Sequence, residues 1–294
     1  GLEQKPDKEK PLSYLKKKVG FYYSETPSIQ AMSEHLQIKP GHRFPLAYLM
    51  EAADDISYCL ADIEDGVEKG LLDCHQLATH LKAAFNELAG AQAEDKFVRN
   101  KTFSDAVDYA LGRSDKEPIN KAHEFFVWLR VQLIHPLVEH AADNFIDEIE
   151  AVYEGSLNRA LLEDNSLYHH IIATFKKVAI KHIFATDEVE TKELQGFQII
   201  SGLLNGFEPL LMYPTEKFYL MAKGQKRGGL IEARLFKRLA NKHLKAYLVA
   251  VEPLKEQADF VLNEYYYRCR LLQDHISGMT DQYALEEYRN LYPN

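Results

Sequence analysis

The sequence predicts an all-α protein, and three observations carry that prediction. Apolar residues recur at spacings of three and four through almost every periodic segment; alternating strand patterns are nearly absent; and helix-start residues stand at the head of several of these segments. Residues 1–43 form a charged lead-in, KPDKEKPLSYLKKKVGFYYSE, with Pro6, Pro11 and Pro27, which reads as a loop followed by a short helix from Pro27 to about Leu36. Phe21–Tyr23 is the one place that admits a short hairpin. From Pro45 an apolar stripe of Leu46, Leu49, Ala53, Ile56, Leu60, Ile63 and Val67 predicts a long helix with that stripe against a core. Asp73 marks the start of CHQLATHLKAAFNEL. Ile119 to Tyr153 predicts a long helix kinked at Pro136. Thr186 and Asp187, with Glu190, mark the start of EVETKELQGFQIISGLL, and Thr215 the start of EKFYLMA. Residues 44–294 contain no internal repeat, low-complexity tract or evident linker, so they read as one continuous helical region.

Composition narrows the function classes. The chain has 294 residues, 46% hydrophobic and 27% charged, which is globular and neither disordered nor fibrous. No apolar run approaches the roughly 18 to 20 residues that span a bilayer, and the first residues do not resemble a signal peptide. A cytoplasmic protein without a membrane partner is therefore expected. Cys59, Cys74 and Cys269 are odd in number and widely spaced, so neither a disulfide framework nor a thiolate zinc site is expected. The net charge of −9 argues against coating nucleic acid, but it is uneven. Lys223–Lys245 holds eight Lys/Arg against the single acid Glu232, a local +7 against −16 elsewhere.

Acidic residues crowd EAADDISYCLADIEDGVEKG. Positions four apart on a helix share a face, and Asp54, Tyr58 and Asp62 form such a row. A carboxylate, a phenol and a second carboxylate in line suit a metal, a sugar ring and a hydroxyl in turn. Periodicity alone also fits the blander use of Asp54, Asp55, Asp62, Glu64 and Asp65 as a solvated face.

The blocks RFPLAYLMEAADDISYCLADIEDGVEKG, LEDNSLYHHIIATFKKVAIKHIF, KELQGFQIISGLL, IEARLFKRLANKH and EYYYRCRLLQDHISGMTDQYALEEYRNLY, in that order, resemble the deoxyguanosine triphosphate (dGTP) triphosphohydrolases, the enterobacterial-type long form of the HD-domain phosphohydrolases. The resemblance implies hydrolysis of dGTP to deoxyguanosine and triphosphate at a divalent metal, Mg, Mn or Fe, held by an H…HD…D motif. It places Asp54 as the last metal ligand, Tyr58 against the deoxyribose and Asp62 on its 3′-hydroxyl. It further places Phe184 on the guanine ring, Glu193 on the guanine N1 and N2 donors, and Arg234 on the triphosphate, with Lys226 or Arg227 as a second cation. It also implies a homo-oligomer, a hexamer in many relatives, and in some relatives binding of single-stranded DNA. The residue types suit these roles, since an ionised carboxylate only accepts hydrogen bonds and a guanidinium forks phosphate oxygens.

One departure from the family pattern stands out. No His-Asp dipeptide occurs, and His35 and His42 lie too near Asp54 to serve as the first ligands. The expectation is a C-terminal portion lacking the H…HD segment, with no catalytic residue of its own assigned, which alone binds metal weakly and hydrolyses little. The alternative is a non-catalytic helical module that binds nucleotide or single-stranded DNA. His169, His170 and His182 read as structural, and the Tyr265–Arg270 cluster reads as packing of a C-terminal helix. Ser201 and Ser277 lack a recognisable His and Asp, and no Walker loop or GxGxxG occurs.

Overall fold

In a computed structural model, residues 13–16, 20–225 and 228–292 are described, and among them the fold is all-α. No strand forms at Phe21–Tyr23. Tyr23–Glu25 is instead a 3-10 turn leading into helix α1 (Thr26–His35), because the Glu25 carboxylate accepts from the Tyr22 amide at 2.8 Å and ties the chain into a turn. The only isolated bridge among the described residues is Val98 with Lys101.

The chain divides into two compact units, residues 1–186 and 187–294. The division falls inside the stretch 44–294 that the sequence presents without a linker. No Gly- or Pro-rich segment marks it. The first unit is built on α2 (Leu46–Glu68), α3 (Cys74–Ala89), α4 (Phe103–Ser114), α5 (Lys121–Asp147), α6 (Ile149–Tyr153) and α7 (Leu167–Ala179). Asp73 caps α3, accepting from the Gln76 amide at 2.8 Å while Gln76 returns the bond at 3.1 Å. Thr102 caps α4 in the same reciprocal way with Asp105, and Ser166 caps α7 by accepting from the His169 amide at 3.2 Å. Pro136 lies buried inside α5, which continues to Asp147. α2 packs on α5 and α7, and α3 on α4 and α7, around the fully buried Phe85, Phe103, Phe125, Phe126 and Phe175.

The buried arc of α2 is Tyr48, Ala52, Ile56, Cys59, Leu60, Ile63, Gly66 and Val67. Its first turns differ from the expected stripe: Leu46, Leu49 and Ala53 face outward, and Tyr48 and Ala52 take the core positions. Tyr48 is admitted because its phenol donates to the Leu157 carbonyl at 2.8 Å, leaving no unsatisfied hydroxyl. With Tyr48 and Ala52 counted, the centre of the arc turns by about 50°, and at about 100° per residue Asp54 then lies diametrically opposite the core.

The second unit comprises α8 (Asp187–Met212), α9 (Thr215–Ala222), α10 (Leu230–Phe236), α11 (Asn241–Val251), α12 (Phe260–Ser277) and α13 (Asp281–Leu291). Here α10, α12 and α13 pack on α8, and α11 on α12. A Cβ on Gly202 would sit 2.3 Å from the Tyr288 ring, so glycine is what lets α13 approach α8. The Tyr265–Arg270 block is structural: Arg268, 1% exposed, is paired with Glu264 at 2.5 Å and donates to the carbonyls of Leu210, Leu211 and Tyr213. It therefore satisfies acceptors that α8 leaves open at its C-terminal end.

Candidate functional site

Three of the sequence-predicted residues meet in one cleft of the first unit. Tyr58 and Asp62 project one turn apart from α2, and Phe184 ends a π-helical turn, Ile180–Phe184, that continues α7. Together with Asp55, Cys59, Phe175, Lys176, Ala179 and Ile180 they line a cleft of about 180 Å³. Tyr58 is 58% exposed and Phe184 40% exposed, so each presents a ring to solvent where ordinary packing would bury it. A larger groove of about 900 Å³, beside α1 and with Arg43 and Glu51 in its wall, contains none of the candidate residues.

The cleft's charges are sorted by their angle to the core. Asp62 lies at its edge, where burial first and then the neighbouring Asp65 push its carboxyl above the usual value. Asp55 accepts from Lys176 on α7 at 2.7 Å. Cys59 is buried in the lining of the cleft, and burial pushes its thiol up to about 12. Two acids read as possible solvated face are otherwise engaged: Asp55 lines the cleft, and Glu64 holds Arg130 of α5 in a two-pronged pair. Lys176 is the cleft residue that sequence reasoning missed. It lies 121 residues from its partner, and no local pattern pairs them.

Asp54 is exposed, lies outside the cleft, and faces away from the core. Among the described residues no group of three or more His, Cys, Asp or Glu is placed to hold a metal ion. Asp54 fits one hard-oxygen donor of a divalent cation, which takes about six. It does not make a metal centre with the residues described.

The remaining candidates belong to the second unit. Glu193 is exposed on the second turn of α8, and Arg234 is exposed on α10. Lys226 and Arg227 lie outside the described residues. The basic stretch is less free than its charge suggests, because Lys223 is paired with Glu252 at 2.9 Å and Arg238 forks the buried Glu287. Two of the three histidines read as structural are held locally: His169 faces the Leu162 carbonyl at 2.9 Å, and His182 stacks on His80 at 3.8 Å.

The all-α fold is the class that the sequence resemblance implied. No family model matches the chain. It is 51% identical over 98% of its length to a probable deoxyguanosinetriphosphate triphosphohydrolase of Pseudomonas aeruginosa. Over 95% of its length it is 46% identical to the deoxyguanosinetriphosphate triphosphohydrolase of Cronobacter sakazakii and 45% to that of Serratia proteamaculans. Through nearly all of its length the chain is thus a homologue of the deoxyguanosinetriphosphate triphosphohydrolases. It spans 58% of the first of these relatives and 54% of the other two.

Proposed function

We propose that the chain serves the metal-dependent hydrolysis of dGTP to deoxyguanosine and triphosphate in the cytoplasm. The observation that supports this reading most directly is the meeting of Tyr58 and Asp62 with Phe184, more than 120 residues further along the sequence, in one cleft. At about 180 Å³ the cleft is smaller than the roughly 300–1,000 Å³ of a typical ligand pocket, so it suits a sugar and one face of a base, with the triphosphate projecting outward.

In this reading the Tyr58 ring covers the deoxyribose where a ribonucleotide would carry a 2′-hydroxyl, and so excludes it sterically. Asp62 accepts the 3′-hydroxyl proton. Phe184 stacks on the guanine. For the second unit, taken by itself, Glu193 has the acceptors that guanine N1 and N2 donors need, a pattern that adenine lacks, and Arg234, with Lys226 or Arg227, can offset triphosphate charge. Asp54 would be one ligand of a divalent metal, which when bound would supply Lewis-acid activation of the phosphate. The relatives' names support dGTP as substrate, and assembly as a homo-oligomer belongs to the same proposal.

The test is nucleotide discrimination, read as binding to the chain and as triphosphate release by the protein as it is made in the cell. The proposal expects dGTP to be preferred over dATP and GTP, and Tyr58→Ala to narrow the margin over GTP. Equal handling of all three nucleotides by the wild type would discard it.

A further inference from the structure

The cleft wall that carries Phe184 is a π-helical turn, a rare local geometry that recurs at functional positions. Two contacts clamp that turn, one from each neighbouring helix. On α2, Gly66 faces Ile183: a Cβ there would stand 2.6 Å from Ile183 Cδ1 and 2.9 Å from Cγ1. Ile183 is itself buried, so its side chain has no free direction in which to yield. On α3, the His80 ring stacks on His182 with centroids 3.8 Å apart and planes 14° from parallel. Stacked in this way, the two imidazoles do not point their nitrogens at a common atom, which argues against a two-histidine metal site. The Glu87–Lys177 pair, at 2.6 Å, closes the same contact between α3 and α7. Ile180 and Phe184, at the two ends of the turn, face the cleft with Tyr58 and Asp62.

We infer that the turn Ile180–Phe184 is a positioning element for the nucleotide base, and that Gly66, His80 and His182 are the positioning residues that set where Phe184 stands. Its meaning for the base rests on the proposed function; the mechanics of the turn do not. Gly66 is otherwise a poor choice. It lies inside a helix, where alanine is the better helix former, and its φ is not in the left-handed region. The room it leaves for Ile183 is the use the structure gives it. His80 acts from the other side, so displacing either contact moves the same wall.

Cys59 offers a readout that needs no catalysis, because it lies buried in the lining of the cleft and would gain access to solvent if the wall moved. Its alkylation is followed by peptide-resolved mass spectrometry on the whole chain, separately from Cys74 and Cys269. Gly66→Ala should raise the Cys59 rate about tenfold, as overpacking forces a local opening. Gly112→Ala, whose Cβ would meet nothing within 4 Å on α4, should leave it unchanged and so isolates the propensity gain. With Ile183→Ala already in place, Gly66→Ala should add nothing further, the non-additivity that marks a direct contact. His182→Ala should also raise the rate, and His182→Phe, which keeps a ring on His80, should restore it. A Gly66→Ala protein that labels like the wild type, or an unchanged increment in the Ile183→Ala background, would overturn the inference. If Gly66→Ala does not fold, the His182 pair decides alone, and equal rates for His182→Ala and wild type would overturn it. Protection of Cys59 by dGTP is measured beside these rates: its absence in the wild type would count against the nucleotide reading, whereas the variant rates bear on the turn.

Discussion

Asp62 holds a carboxylate at the edge of a core that works against its charge. Burial and the nearby Asp65 raise its pKa above the ordinary carboxyl value of 3.8, so the folded state binds its proton more readily than the unfolded chain does. The sign follows from linkage: this group lowers stability as pH rises from about 3.8 through the raised value, and the loss persists at neutral pH. Asp62→Asn is therefore expected to unfold at higher urea concentration than the wild type at pH 7, with the advantage gone near pH 3. If the carboxylate is retained for the 3′-hydroxyl, the same variant binds dGTP and its 3′-deoxy analogue equally. A variant no more stable at pH 7 and still discriminating would contradict both halves. Its row with Tyr58 was legible in the sequence because it follows from helix periodicity, whereas the role given to it came from the resemblance. Lys176 was not, since nothing near either residue reports a partner on another helix.

At the scale of elements, stability is concentrated where helix ends are satisfied. Arg268 joins α12 to the end of α8 through the Leu210, Leu211 and Tyr213 carbonyls, and Tyr247 donates to its partner Glu264 at 2.6 Å. Arg268→Met would strand a buried carboxylate and several carbonyls, at about 3–5 kcal/mol by chemical denaturation. Adding Glu264→Met should recover a large part of that loss, because removing both charges is far cheaper than removing one. The smaller reciprocal cap at Asp73 should cost about 1 kcal/mol in Asp73→Ala. Helix starts such as these were readable from side-chain chemistry alone. The turn at Ile180–Phe184 was not, because a π-turn has no composition of its own and depends on Gly66 and His80 reached through the fold. Its histidine gives a pH signature. Burial, then His80 and Lys181, lower the pKa of His182, so the folded state resists protonation. The turn's stability is thus full above the free-imidazole value of about 6.5 and is lost as pH falls through the lowered one. An imidazole NMR titration should place His182 below that value, and His80→Phe should move it part of the way back. A His182 titrating at the free value would remove the burial argument.

For the molecule as a whole, the all-α class was legible because helical periodicity runs through nearly the entire chain. The division after Thr186 was not, since a boundary between two helical units without a Gly- or Pro-rich joint looks like any turn between helices. The net charge of −9 likewise concealed how much of the basic stretch is spent internally on Glu252 and Glu287. The last expectation belongs at this scale, because it concerns what the assembled parts can do together. A divalent cation that activates a phosphate takes about six donors. Asp54 offers one exposed carboxylate, and no other His, Cys, Asp or Glu group among the described residues completes a set of three. The cleft proposed for sugar and base, in contrast, is lined by Tyr58, Asp62 and Phe184 without Asp54. Binding and hydrolysis should therefore separate in this chain: Cys59 protection should report dGTP binding in the presence of manganese, while triphosphate release stays at the buffer rate. Asp54→Asn should then change neither measurement, because a lone ligand contributes to neither. Release above background that copurifies with the chain through several columns and disappears in Asp54→Asn would show a working metal centre, and the separation would fail.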